Sequence, residues 1–259
     1  MEEGEIRSPG GSRICLHRER VLPFIQTSGD ARRIAAIAKH IEAHVGCVSH
    51  VFHELVSDLV HVDIHVVTPT RRRPWNTLIT SGMSEVTMTV PQCSIPGGVI
   101  PRGTNPRGPI PGGARRDGAY AELCIALPHH WPVGLAALRR DVTAWPILYL
   151  VELARFPHLY DTSLGFGHSI TNGNPPCPLA PGVGFVGAVI LPPVGLPSAF
   201  CELRVSPNVL INFYGVYPIY QDEMDFLLQN GIDAIMERFA ACGVTELLDV
   251  KRKSVCGRR

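Results

Sequence analysis

The sequence predicts an α+β fold, a single domain in which a largely antiparallel sheet carries helices packed on it. Three observations lead there. Apolar runs of strand length follow one another through much of the chain, helical periodicity appears at its start, middle and end, and 259 residues at 45% hydrophobic and 18% charged suffice for one sizeable core.

The elements follow in order. The first 28 residues show no sustained period and are expected to form a loose leader, with the domain proper over 29–255. Asp30 suits the N-cap of a helix whose Ile34, Ala38, Ile41 and Val45 share one stripe, with Ile37 at its border. Arg32 and Lys39 lie opposite and Gly46 ends it. From Val48 to Val67 the pattern reads as strand, turn near Ser57 and Asp58, and strand, with Val60, Val62, Ile64 and Val66 on one apolar face. "NTLITSGMSEVTM" (Asn76 to Met88) and "AYAELCIAL" (Ala119 to Leu127) continue as strands. Between them, Pro and Gly recur every few residues, so 96–118 is expected to be a mobile insertion.

Trp145-Pro146 is expected to open an apolar, buried helix that Pro157 stops. "FVGAVIL" reads as a strand covered on both faces, and "AFCELRV" and "VLINFYGVYPIY" as two more. Asp222, Glu223 and Asp225 place acids in the first turn of a helix carrying Met224, Leu227 and Leu228, which Asn230-Gly231 breaks. A last helix turns Ile232, Ile235, Met236 and Phe239 inward and ends at Gly243.

Composition narrows the function classes. A formal net charge of +1 offers no general field for a polyanion, and "RRRP" (Arg71 to Pro74) reads as a solvated turn, so no nucleic-acid partner is expected. Eight cysteines without a C-x-x-C pair fit reduced thiols rather than a zinc ribbon. The opening "MEEGEIRSPGGSR" has no apolar signal core and no stretch of eighteen apolar residues follows, so the chain is expected in the cytoplasm, away from membranes.

The stretch "HVDIHVVTPT" sets His61, Asp63 and His65 at alternate positions. On a strand, four residues span roughly 13 Å, whereas ligand atoms on one zinc sit within roughly 4 Å of each other. His61 and His65 are therefore not expected to share an ion. His61 with Asp63 can do so only with a third ligand, for which His168 and Glu85 are candidates, and a metal-dependent hydrolase on that pair is the alternative function. Otherwise these residues form a polar strand face that bonds neighbouring strands or lines a groove. Ser169 in "GFGHSITNG" fails as a nucleophile elbow because Thr171 stands where G-x-S-x-G needs glycine, and Cys177 lies among prolines with nothing to activate it.

"HVDIHVVTPT", "TSGMS", "AELCIALPHHWP", the "FPH…DT…GHS" pattern within "WPILYLVELARFPHLYDTSLGFGHSI", "NPPCPLAP", "FVGAVILPP" and the C-terminal helices occur in order from about Val51 to Val255. In these segments the chain resembles the suppressor of fused family in its bacterial form. The resemblance implies a non-enzymatic protein-interaction module with no catalytic residues and no cofactor. The animal relative clamps an extended peptide between two domains, and this chain resembles the first of them. Bacterial members are proposed to be immunity proteins that neutralise a partner toxin. The loop "FPHLYDTSLGFGHSI", held by a helix and a strand, is a platform for recognition. Asp161, Phe166 and His168 are expected to contact the partner there, with His61 and Asp63 completing a groove if the two strands pair.

Overall fold

The computed structural model describes residues 6–17, 23–24, 26–55, 57–89 and 118–257. The insertion expected at 96–118 lies outside them except for Gly118. Within the expected leader, Arg7 and Arg13 bridge one another, and Gln26 bridges Asp58.

The first helix, α1 (Ala31–His44), begins as its cap requires: Asp30 accepts the backbone N–H groups of Arg32 and Arg33 at 3.0 and 3.2 Å. These are donors that a first turn leaves without helical partners. Its buried face runs through Ile37, His40 and Ile41, rotated from the expected stripe through Ile34 and Ala38. The cause is His40, which stacks on Phe200 and Phe213 at 5.5 and 5.3 Å and places its Nε2 3.0 Å from the Phe200 carbonyl. A count of apolar residues alone misses a histidine that packs as an aromatic.

Eight strands form one sheet: β1 (Val48–Phe52), β2 (Asp63–Val67), β3 (Trp75–Ser81), β4 (Ala121–Pro128), β5 (Ser169–Thr171), β6 (Gly187–Leu191), β7 (Glu202–Ser206) and β8 (Val209–Ile219). Their order is β1-β2-β3-β4-β8-β6-β5, with β7 beside the start of β8. The pairings are antiparallel except for β4 with β8, which run parallel from Ala121↔Asn212 to Cys124↔Gly215. The α+β expectation therefore holds, and β6 is buried along its whole length as the run "GAVIL" predicts.

Alternation along the strands builds three layers. One sheet face sends Ile64, Leu78, Ile125 and Ile190 against α2 (Asp141–Leu159), which contributes Trp145, Leu150 and Leu153. The other face splits in two. Val67, Ile79, Cys124 and Phe213 pack under α1, and Val189, Leu191, Tyr217 and Ile219 pack under α3 (Gln221–Asn230) and α4 (Ile232–Cys242).

Three element boundaries move. The strand read from Val60 starts at Asp63, although Val60 and Val62 are buried as expected. The strand read through Met88 stops at Ser81 because Gly82 takes φ +118, and a Cβ there would lie 1.7 Å from the His61 carbonyl oxygen. The chain turns there into a single 3-10 turn, Met83–Glu85. Finally, α2 begins at Asp141 and runs through Pro157 to Leu159. Arg140 supplies the first accepting carbonyl, to the Thr143 and Ala144 N–H groups at 2.9 Å each. The prolines thus sit inside the helix, where each removes an N–H from the i→i−4 ladder and its ring crowds the carbonyl one turn back. One side of α2 stays open at Leu148 and Glu152 rather than buried all round.

Three buried glutamates pin segments to this frame. Glu122 accepts Thr80 Oγ1 and Ser84 Oγ at 2.6 Å each, and the N–H groups of Gly82 and Ser84 at 3.0 Å each. Burial pushes its carboxyl above the usual range, against the pull of those four donors. Glu246 holds the N–H groups of Val194 and Gly195 at 3.1 and 2.8 Å. Glu223 takes both terminal nitrogens of Arg252 at 2.6 and 2.7 Å, and the N–H of Val255 at 2.9 Å, which ties the C-terminal segment to α3.

Candidate functional site

The chemistry-bearing residues gather at two places. The first lies where β1 ends and β2 begins. The β1–β2 register (Phe52↔Ile64), continued by one residue, sets His53 opposite Asp63. Asp63 is 2% exposed. Its Oδ2 stands 3.0 Å from His53 Nδ1, its Oδ1 stands 3.0 Å from His61 Nε2, and the Glu54 N–H donates to Oδ1 at 3.3 Å. On the far side of the His61 ring, Nδ1 is 2.7 Å from Ser57 Oγ. The Glu54 carboxylate pairs with Arg155 of α2 and accepts the Val62 N–H at 3.2 Å.

Of the proposed third ligands, the structure brings neither to Asp63. Glu85 accepts the Thr27 hydroxyl at 2.9 Å and the His61 backbone N–H at 3.2 Å. His168 bonds within its own loop. The residue that does complete a set is His53, which the sequence reading did not single out. Its only signal was its place across the hairpin from Asp63, and that depends on a register the turn sets rather than on spacing. His65 stays apart from His61 in its bonding, its Nε2 being 2.8 Å from Ser81 Oγ. Ser57, His61 and Asp63 form a Ser–His–Asp chain, but Ser57 is 2% exposed, which denies its hydroxyl a substrate.

The second place is the loop between α2 and β5. Asp161 adopts φ +51 and accepts the Thr89 hydroxyl at 2.6 Å, so it anchors the loop to the segment after the 3-10 turn. Phe166 stands 39% exposed between Gly165 and Gly167. His168 accepts the Gly165 N–H at Nδ1 (3.3 Å), and burial lowers its pKa below the ordinary imidazole value. The two places are not joined by strand pairing: β2 lies between β1 and β3, while β5 ends the far side of the sheet. Ser169 opens β5 in a strand-to-strand context, not the strand-to-helix turn of a nucleophile elbow.

The motif residues serve the frame. Thr80, Gly82 and Ser84 of "TSGMS" feed Glu122, Ser81 bonds His65, and the Met83 carbonyl meets Nε2 of His158, from "FPH", at 2.8 Å.

The described residues thus form a one-sheet α+β domain with its motif residues tied into structure and an exposed aromatic, Phe166, beside a sheet edge. The chain belongs to the suppressor of fused family, whose model, Suppressor of fused protein (SUFU), matches residues 58–253. No curated protein matches it in sequence. Among solved structures, a SUFU homologue from Neisseria gonorrhoeae aligns with TM-score 0.52 at 15% identity, covering 88% of this chain and 97% of its own. The Sufu–Fu complex aligns with TM-score 0.54 at 13% identity, covering 86% and 92%. Drosophila Suppressor of Fused aligns with TM-score 0.53 at 13% identity over 86% of this chain, which spans only 51% of the Drosophila chain. The family is a regulatory, protein-binding one. No helix among the described residues is long and apolar enough to cross a membrane.

Proposed function

We propose that this chain is a non-enzymatic module that binds and restrains a partner protein in the cytoplasm, and that the partner is a toxin domain it neutralises as an immunity protein. A relative solved as the Sufu–Fu complex supports the protein-binding part. The observation that carries the surface is Phe166, exposed on an anchored loop beside the outermost strand. In β5, the His168 carbonyl and the Asn172 N–H bond toward β6. By the alternation of an antiparallel ladder, the Ser169 and Thr171 N–H groups therefore point outward. An extended partner segment adds to that edge, with Phe166, Asp161 and His168 supplying side-chain contacts. His61 and Asp63 lie outside this surface.

The test pairs capture with function. Each open reading frame neighbouring this gene is expressed as a candidate toxin domain with the wild type, with Phe166→Ala or with Thr171→Pro, which removes an outward N–H. Capture by the wild type and its loss in both variants support the surface. Rescue of growth supports immunity, and capture without rescue removes the immunity reading alone.

A further inference from the structure

His53, His61 and Asp63 are the one group among the described residues whose histidine and carboxylate atoms converge closely enough to share an ion: one ligand atom from each lies within 4.8 Å of the others. A zinc ion with bonds of about 2 Å holds its ligands roughly 3–3.5 Å apart. Closing the set therefore takes small side-chain movements, and the His53 side chain, 67% exposed, is free to make them.

The surroundings favour coordination. A ring that binds metal through Nε2 carries its proton on Nδ1 and needs an acceptor there, and Ser57 Oγ stands 2.7 Å from His61 Nδ1. The Glu54 N–H steadies the Asp63 carboxylate from the side.

We propose that His53, His61 and Asp63 bind a divalent transition-metal ion of the zinc class, in a site that fastens the end of β1 to the start of β2. Two imidazoles and one carboxylate suit zinc and its neighbours, whereas calcium and magnesium take oxygen shells. The site is separate from the β5 surface and does not depend on it.

The experiment uses the untagged full chain, stripped with chelator. Its exposed thiols, Cys15, Cys47, Cys177 and Cys242 among the described residues, are alkylated so that they do not bind metal themselves. Titration with cobalt(II), followed by visible absorption, and with zinc, followed by calorimetry, is expected to give one equivalent bound. His53→Ala, on an exposed side chain, should keep the metal-free melting temperature and lose at least about tenfold in affinity. Asp63→Asn should lose as much or more, and His129→Ala, an exposed imidazole elsewhere, should lose nothing. No binding at micromolar metal, or binding that survives both His53→Ala and Asp63→Asn, would show that the three residues are hydrogen-bonded to one another and nothing more.

Discussion

Two buried carboxylates, Glu122 on β4 and Asp63 on β2, are held in opposite ways. Glu122 is enclosed by two hydroxyls and two backbone N–H groups, none of which titrates in the physiological range. Asp63 is held by two imidazoles, one of them largely in water. The first arrangement is a permanent joint, closing the 3-10 turn onto the sheet. The second depends on what else the imidazoles bind. The depth of the carboxylate is similar in both cases; the chemistry of its donors decides whether it builds or responds.

Breaking the permanent joint should cost most. Glu122→Ala leaves four donors without their acceptor, and a loss of about 3 kcal/mol or more is expected in urea unfolding. A loss below about 1 kcal/mol would put Glu122 on a par with surface carboxylates. Asp63→Asn in the metal-free protein should cost less, about 1–2 kcal/mol, because His53 can turn to water and only the His61 and Glu54 contacts are buried. An equal loss for the two would erase the distinction.

Acidification sharpens the contrast. Burial holds the His65 and His158 imidazoles below their ordinary 6.5, and lifts the Glu122 carboxyl above its ordinary 4.5. The histidine contribution is complete above pH 6.5 and is lost as pH falls through the depressed folded values, since the unfolded chain takes up protons the folded chain resists. Glu122 works the other way: its contribution is complete below 4.5 and is lost as pH rises through the elevated folded value. Stability should therefore decline on acidification below 6.5, and His158→Gln, whose amide still donates to the Met83 carbonyl, should flatten that decline in urea midpoints measured against pH. An unchanged slope would assign the decline elsewhere. The smallest effect is expected at the β5 end, where Phe166→Ala should shift stability by no more than about 0.5 kcal/mol while abolishing partner capture.

Much of the fold was legible because it rests on local chemistry: the Asp30 cap, the run "GAVIL" and the break at Asn230-Gly231 each act within a few residues. The misplaced boundaries came from contacts distant in sequence. Gly82 turns the chain because of His61, and His40 joins the core because Phe200 and Phe213 wait for it. The same holds at the site. Spacing set His61 apart from His65 and left it within reach of Asp63, whose carboxylate it meets in the structure, but only the hairpin register brings His53 to them.

The parallel pairing of β4 with β8 also bears on how the chain folds. Strands β1 to β4 form a meander of neighbours, and β6 and β8 pair within the second half. The seam at Ala121↔Asn212 joins residues whose intervening chain includes all of α2, β5, β6 and β7. It carries the largest loop-closure entropy in the sheet, and contacts of that separation slow folding. If the seam forms in the rate-limiting step, a substitution there such as Leu123→Ala slows refolding, whereas one confined to the β1–β2 hairpin mainly speeds unfolding.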